Sequence, residues 1–173
     1  MKNKKLVFIT QGAVIAALYV VFTLISATFN LASMEIQARL SEMLCILPVF
    51  TPAAIPGLFI GCLISNVIWG TGVIDVIFGS LATLIGAIGT YLIRKLTLKY
   101  KWSGFIASIP PILANAIIIP FVLVKTLELE TSAIPLLMLS VGIGEVIACG
   151  ILGTGLFYIL KRYGDKLMLK ENK

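Results

Sequence analysis

Apolar runs of membrane-spanning length, separated by short polar breaks, recur along almost the whole chain. Breaking the sequence at charges, prolines and glycines leaves apolar segments over about 6–29, 40–50, 53–69, 73–93, 104–124 and 133–160. A helix that crosses a bilayer needs roughly 17 to 25 such residues, and the pattern predicts six transmembrane helices in one membrane domain over residues 1–173. The second segment is short for a full span. It runs into Pro48, Thr51, Pro52 and Pro56, where missing backbone donors break or bend the chain, so the second and third helices are expected to form a tight hairpin. The first run follows Lys2, Lys4 and Lys5 as in a signal peptide, but it is too long and lacks a small-residue cleavage site. It reads as a retained first helix.

Composition points the same way, with 59% hydrophobic residues, 13% charged residues and a mean hydropathy of +1.05. A soluble core of this size cannot hide that much apolar surface, so lipid must cover it. The net charge of +6 has a topological explanation. With the N-terminus inside, the inner segments hold Lys2, Lys4 and Lys5, then Arg94, Lys95, Lys99 and Lys101, then Lys161, Arg162, Lys166, Lys170 and Lys173, which is 12 of the 14 basic residues. The positive-inside rule then places both termini in the cytoplasm. No basic stripe with interleaved aromatics lies on a soluble segment, so nucleic acid is not an expected partner. The opposite face receives Glu35, Glu42, Asp75, Glu128 and Glu130, and polar chemistry is expected there.

Within that frame a few polar residues stand out. The stretch from Asn30 to Glu42 is the longest polar run on the outer side; it is either a solvated loop or, over 30–39, a lid above a binding site. Arg39 and Glu42 are three residues apart, so on a helix they share a face and can pair with each other as well as with a ligand. Glu145 lies about twelve residues, or roughly 18 Å, into the last helix. An ionisable group at that depth faces a cavity or a partner, here a bound ligand or Asn115. Asn115 offers both a donor and an acceptor. Asn66 and Trp69 end the third helix, where Trp69 either stacks on a planar ligand or anchors at the lipid interface. Asp75 begins the fourth helix and is read as a cap.

Cys45, Cys62 and Cys149 lie in apolar segments without CxxC spacing and with no histidine in the chain, so packing is expected of them and no metal site or cofactor. Small residues four apart, Gly12/Ala16 and Ala13/Ala17, mark a close-packing face on the first helix. The chain holds no GxxxxGK[ST] run, no HExxH and no nucleophile elbow. No enzymatic activity is expected, and ATP hydrolysis, where needed, must come from other subunits.

Several blocks together carry a family resemblance. Gln37-Ala-Arg39-Leu-Ser41-Glu42, Leu47-Pro48, Thr51-Pro-Ala-Ala-Ile-Pro56-Gly57, Asp75-Val-Ile-Phe-Gly79-Ser-Leu-Ala-Thr83, Pro110-Pro-Ile-Leu-Ala-Asn115-Ala and Val141-Gly-Ile-Gly144-Glu145 resemble the QueT family of queuosine-precursor transporters, over most of the chain. Ala38 stands where that family usually has an aromatic, so one stacking contact is missing. The resemblance implies an S-component of an energy-coupling factor (ECF) transporter: a six-helix binding subunit in the bacterial cell membrane that works with a transmembrane T-component and two ATPase subunits. It implies that Ala13 and Ala17 form the face that meets the T-component. It also implies a deazaguanine ligand such as queuine or a pre-queuosine base. Glu145 would then accept its paired N–H donors, Asn115 or Gln37 would satisfy its carbonyl, Glu42 or Glu35 would meet a cationic side arm, and Trp69 would offer a ring face. Arg39 and Asn66 complete the expected binding set. Three other readings stay open. In one, the chain is a secondary transporter driven by an ion gradient through Glu145, although six short spans without an inverted repeat argue against it. In another, it is an S-component for a different vitamin-like ligand. In the third and weakest, it is an intramembrane enzyme or assembly factor in which Glu145 and Asn115 are catalytic or structural, against which stands the lack of a histidine, a catalytic dyad or a metal cluster in the sequence.

Overall fold

The computed structural model describes residues 3–29, 39–69, 72–98, 100 and 102–167, with side chains as far as Tyr163. Every regular element in it is helical. Helix α1 spans Lys4–Thr28, capped at its start by Asn3, whose side chain accepts from the Lys5 backbone N–H at 3.3 Å. A ten-residue 3₁₀ segment, Leu40–Val49, follows, then α2 (Ala54–Trp69), α3 (Val73–Thr97) and α4 (Ser103–Thr126). The last helix is composite: α5 (Ile134–Glu145), a π segment (Val146–Gly153) and α6 (Thr154–Leu167).

Four helices, Lys4–Thr28, Val73–Thr97, Ser103–Thr126 and the composite over Thr131–Tyr163, are long and apolar enough to cross a membrane. The remaining two segments lie close to their expected bounds and are shorter than a full span, the first of them as its sequence leads one to expect. The 3₁₀ segment of ten residues reaches only about 20 Å at its rise per residue, and the 16 residues of α2 reach about 24 Å, against a hydrocarbon core of roughly 30 Å. Pro48 lies inside the 3₁₀ segment and cannot donate to an α-helical ladder. The expected hairpin is a turn over residues 50–53, pinned to α1 where the Thr51 hydroxyl donates to Gln11 Oε1 at 2.8 Å. Other helix ends move by a few residues; α3 runs on to Thr97 rather than stopping near Ile93.

The short 3₁₀ segment is the centre of the molecule. Eight of its ten residues are buried, and Leu44, Cys45, Ile46 and Leu47 form one core with Tyr19, Leu58, Cys62, Cys149 and Phe157. Around it the long helices turn apolar side chains outward: Leu6, Ile9, Val73, Leu92, Ile117 and Ile151 all have at least half their surface exposed, as lipid-facing positions should.

Lipid tails are as apolar as leucine, so helix association in a bilayer depends on close van der Waals contact and interhelical hydrogen bonds. The α1–α2 interface shows how this sequence achieves it. A Cβ at Gly57 would sit 2.7 Å from Gly12 O, and one at Gly61 would sit 2.7 Å from Tyr19 Cβ and 2.9 Å from Ala16 O. Glycine at both positions lets the two backbones touch. The overlapping pairs on α1 therefore separate: Gly12/Ala16 packs against α2, whereas Ala13 and Ala17 face outward. At α3, Gly86 accepts the backbone of Pro111 in the same way, a Cβ there meeting Pro111 Cα at 2.7 Å.

Candidate functional site

Hydroxyl, amide and carboxyl groups from six elements meet at the end of the bundle where α1 leaves for the 3₁₀ segment. There the Ser26 hydroxyl accepts from the Leu40 backbone N–H at 2.8 Å, which fixes the start of the 3₁₀ segment against α1. Glu42, two residues further, is directed inward and is 3% exposed.

The centre of the site is a pair of carboxylates joined by one amide. Asn115 Nδ2 donates to Glu145 Oε1 at 2.9 Å and to Glu42 Oε2 at 3.3 Å. An ionised carboxylate can only accept, which sets the amide orientation with its nitrogen toward both acids. Glu42 takes two more donors, the Tyr19 hydroxyl on Oε1 and the Cys45 thiol on Oε2 at 3.0 Å. Both of its oxygens are engaged. Glu145 is different: its Oε2 is buried without a hydrogen-bond partner among the described residues. It is the last residue of α5, where the helix passes into the π segment, a local widening that often accompanies functional positions.

A second polar group lies alongside. Arg39 Nη1 donates to Asn66 Oδ1 at 3.4 Å, and Arg39 Nη2 stands 4.0 Å from Asp75 Oδ2. Asn66 Nδ2 reaches the Asp75 backbone carbonyl at 3.4 Å. A Cβ at Gly79 would lie 3.1 Å from Asn66 Nδ2, so glycine gives the amide its room. Asp75 departs from the expected cap. Gly72, at φ 97°, occupies the N-cap of α3, and the Asp75 carboxylate is turned inward to Arg39. Arg39 accordingly pairs across to α3 rather than with Glu42 three residues on.

Between the two groups lies a cavity of about 20 Å³, lined by Arg39, Glu42, Gly79, Thr83, Asn115, Ile119, Val141 and Glu145. That is room for about one water. Four sequence candidates, Glu145, Asn115, Arg39 and Glu42, line it; Asn66 is not among the lining residues but accepts from Arg39. Trp69 ends α2 half-exposed and is not among the lining residues. Glu35, Gln37 and the stretch 30–38 of the expected lid lie outside the described residues. Reading the sequence alone missed Tyr19, Thr83 and Gly79. A signal for Tyr19 was present, because Tyr19, Thr23 and Ser26 place polar groups at helical spacing on one face of an otherwise apolar α1.

The three thiols are free and buried. Cys45 donates to Glu42, and Cys62 accepts from the Thr83 hydroxyl at 3.4 Å, so two of them touch the polar network as well as the core.

The family described as QueT transporter has a model that matches residues 9–162. Among curated relatives, the chain is similar to the queuosine precursor transporter QueT of Lactococcus lactis subsp. cremoris (strain MG1363), at 38% identity over 105 residues, 60% of this chain. The match spans 62% of that relative's length. No solved structure matches.

Proposed function

Because the chain belongs to the QueT transporter family, we propose that this multi-pass membrane protein is the S-component of an ECF transporter and captures a queuosine precursor, a deazaguanine base such as queuine, for import into the bacterial cell. The substrate class follows the name of the relative. The reading rests above all on one observation: Glu145, which lines a polar cavity in an otherwise apolar bundle, has a buried carboxylate oxygen without a hydrogen-bond partner among the described residues. Burying such a group is costly unless something completes it, and a deazaguanine pairing edge carries the adjacent N–H donors that would.

The cavity is far below the roughly 300–1,000 Å³ of small-molecule sites, so binding a bicyclic base requires the elements around it to move apart. Glu145, Asn115, Arg39 and Glu42 line the binding site in this reading. The chain crosses the membrane six times, with the 3₁₀ segment and α2 as the two shorter crossings and both termini in the cytoplasm. Ala13 and Ala17, turned outward on α1, are the docking face for the T-component, against which small residues allow a helix to approach closely. Two separate ATPase subunits hydrolyse ATP, and the loaded S-component reorients while docked.

Calorimetric titration of the purified protein in detergent with queuine and its precursor bases, with guanine as control, tests the ligand. Saturable binding of the deazaguanines, lost in Glu145→Gln, is expected; no binding by a folded protein overturns the ligand class. Uptake into vesicles is expected only with the T-component and ATPases present. Uptake that persists without them and collapses with an uncoupler would establish the ion-driven alternative.

A further inference from the structure

The two carboxylates of the cavity are not equivalent, and neither are the two nitrogen-bearing side chains. Glu42 accepts from Tyr19, Cys45 and Asn115, so a ligand donor reaching it would have to displace a protein donor. The Asn115 amide nitrogen is committed to both acids and has no N–H left for a ligand carbonyl. Among the charged side chains of the cavity wall, two groups retain capacity. One is Glu145 Oε2, in a side chain 7% exposed and without a partner among the described residues. The other is Arg39, whose guanidinium carries five N–H donors and engages two of them, at 3.4 Å and 4.0 Å, both long for a charge-assisted contact.

The cavity therefore has an acceptor to fill on one side and donors to fill on another. We infer that Arg39 and Glu145 Oε2 are the two groups that read the ligand, which must present a hydrogen-bond acceptor next to N–H donors on one edge, its carbonyl turned toward Arg39 and its N–H groups toward Glu145. This rests on the deazaguanine reading and sharpens it: a lactam edge of the guanine type satisfies both walls, whereas an edge carrying an amine in place of the carbonyl sets donor against donor at Arg39 and, because its adjacent ring nitrogen has lost its hydrogen, acceptor against acceptor at Glu145. Leaving charged groups buried and unpaired is what rejects the wrong edge.

A ligand-by-residue cycle tests it. The purified full chain in lipid nanodiscs is titrated with three bases: a deazaguanine, its diamino analogue with the carbonyl replaced by an amine, and its deazahypoxanthine analogue without the exocyclic amine. Wild type, Arg39→Ala, Arg39→Lys and Glu145→Gln are compared, each checked for a cooperative melt. In wild type, replacing the carbonyl is expected to weaken binding roughly ten- to a hundredfold. Part of that penalty is the loss of the ring N–H that faces Glu145 and stays in every Arg39 variant; the remainder is the clash at Arg39, whose relief is expected to reduce the penalty by about tenfold in Arg39→Ala and less in Arg39→Lys. Removing the exocyclic amine costs wild type a similar factor and costs Glu145→Gln little. A carbonyl penalty of the same size in wild type and Arg39→Ala overturns the assignment while leaving deazaguanine binding intact. Wild type that melts cooperatively and binds none of the three bases overturns the ligand class itself.

Discussion

Asn115 on α4 donates through its single amide nitrogen to Glu145 on α5 at 2.9 Å and to Glu42 of the 3₁₀ segment at 3.3 Å. One side chain thus joins two acids that stand on different elements. With Asn115 3% exposed and Glu145 7% exposed, the bridge is part of the fold as well as of the site.

Asn115→Ala removes both hydrogen bonds and leaves two acceptors short of a donor, so a stability loss of about 1–3 kcal/mol is expected. Thermal unfolding in detergent should show the midpoint lowered by several degrees. Asn115→Asp, which replaces the bridging donor with a third acceptor, should be worse than alanine. An unchanged midpoint in both variants would mean that the bridge contributes nothing to the folded state.

Tyr19→Phe keeps the ring, which is 1% exposed, and deletes the hydroxyl that donates to Glu42 Oε1. The expected loss is about 1–3 kcal/mol, because the carboxylate oxygen stays buried without its partner. Tyr19→Ala adds a cavity in the core and should cost more, about 3–5 kcal/mol. Equal midpoints for the phenylalanine and wild-type proteins would show that the hydroxyl is dispensable.

Gly61→Val should prevent the native approach of α2 to α1, since even a Cβ there meets Ala16 O at 2.9 Å and Tyr19 Cβ at 2.7 Å. Aggregation or loss of a monodisperse peak in size-exclusion chromatography is expected. Ala13→Leu, on the outward face of the same helix, should leave that peak and the melting midpoint within about 0.5 kcal/mol of wild type. If the proposed docking face is correct, it should nevertheless lose copurification with the T-component. A poorly folded Ala13→Leu protein would place that position inside the bundle.

All three cysteines are free and buried, so a membrane-permeant maleimide should add to none of them in the folded protein within minutes and to all three after denaturation. Intact-mass spectrometry reads the count directly. Rapid labelling of Cys45 in the native state would contradict its packing beneath Glu42.

Much of the architecture was legible in the residue order. A bilayer imposes one requirement on every lipid-facing segment, and that requirement is local: a long enough apolar run with its backbone hydrogen bonds closed inside the helix. Hydropathy therefore delimits α1, α3, α4 and the final composite helix. The cost of a charge at membrane depth is local too, which is why Glu145 and Asn115 drew notice as single letters. The 3₁₀ geometry of Leu40–Val49 was not legible beyond Pro48, because a ten-residue, largely apolar run is equally compatible with a short α-helix until neighbours on all sides confine it. Asp75 shows the same limit, since a first-turn acid looks like a cap until Arg39 is seen opposite.

Taken alone, the sequence determined that the chain is an all-helical membrane protein with a few polar groups at unusual depth, because those properties depend on each segment's own affinity for lipid. Only the tertiary structure decided which polar groups meet. Tyr19 reaches Glu42 across 23 residues and Asn115 reaches it across 73, and no local periodicity encodes such pairings. It also decided that Gly12 and Ala16 lie against α2 while Ala13 and Ala17 face outward. Both pairs have the same spacing, and their roles differ only through the rotation of α1, which the glycines of a separate helix set by contact.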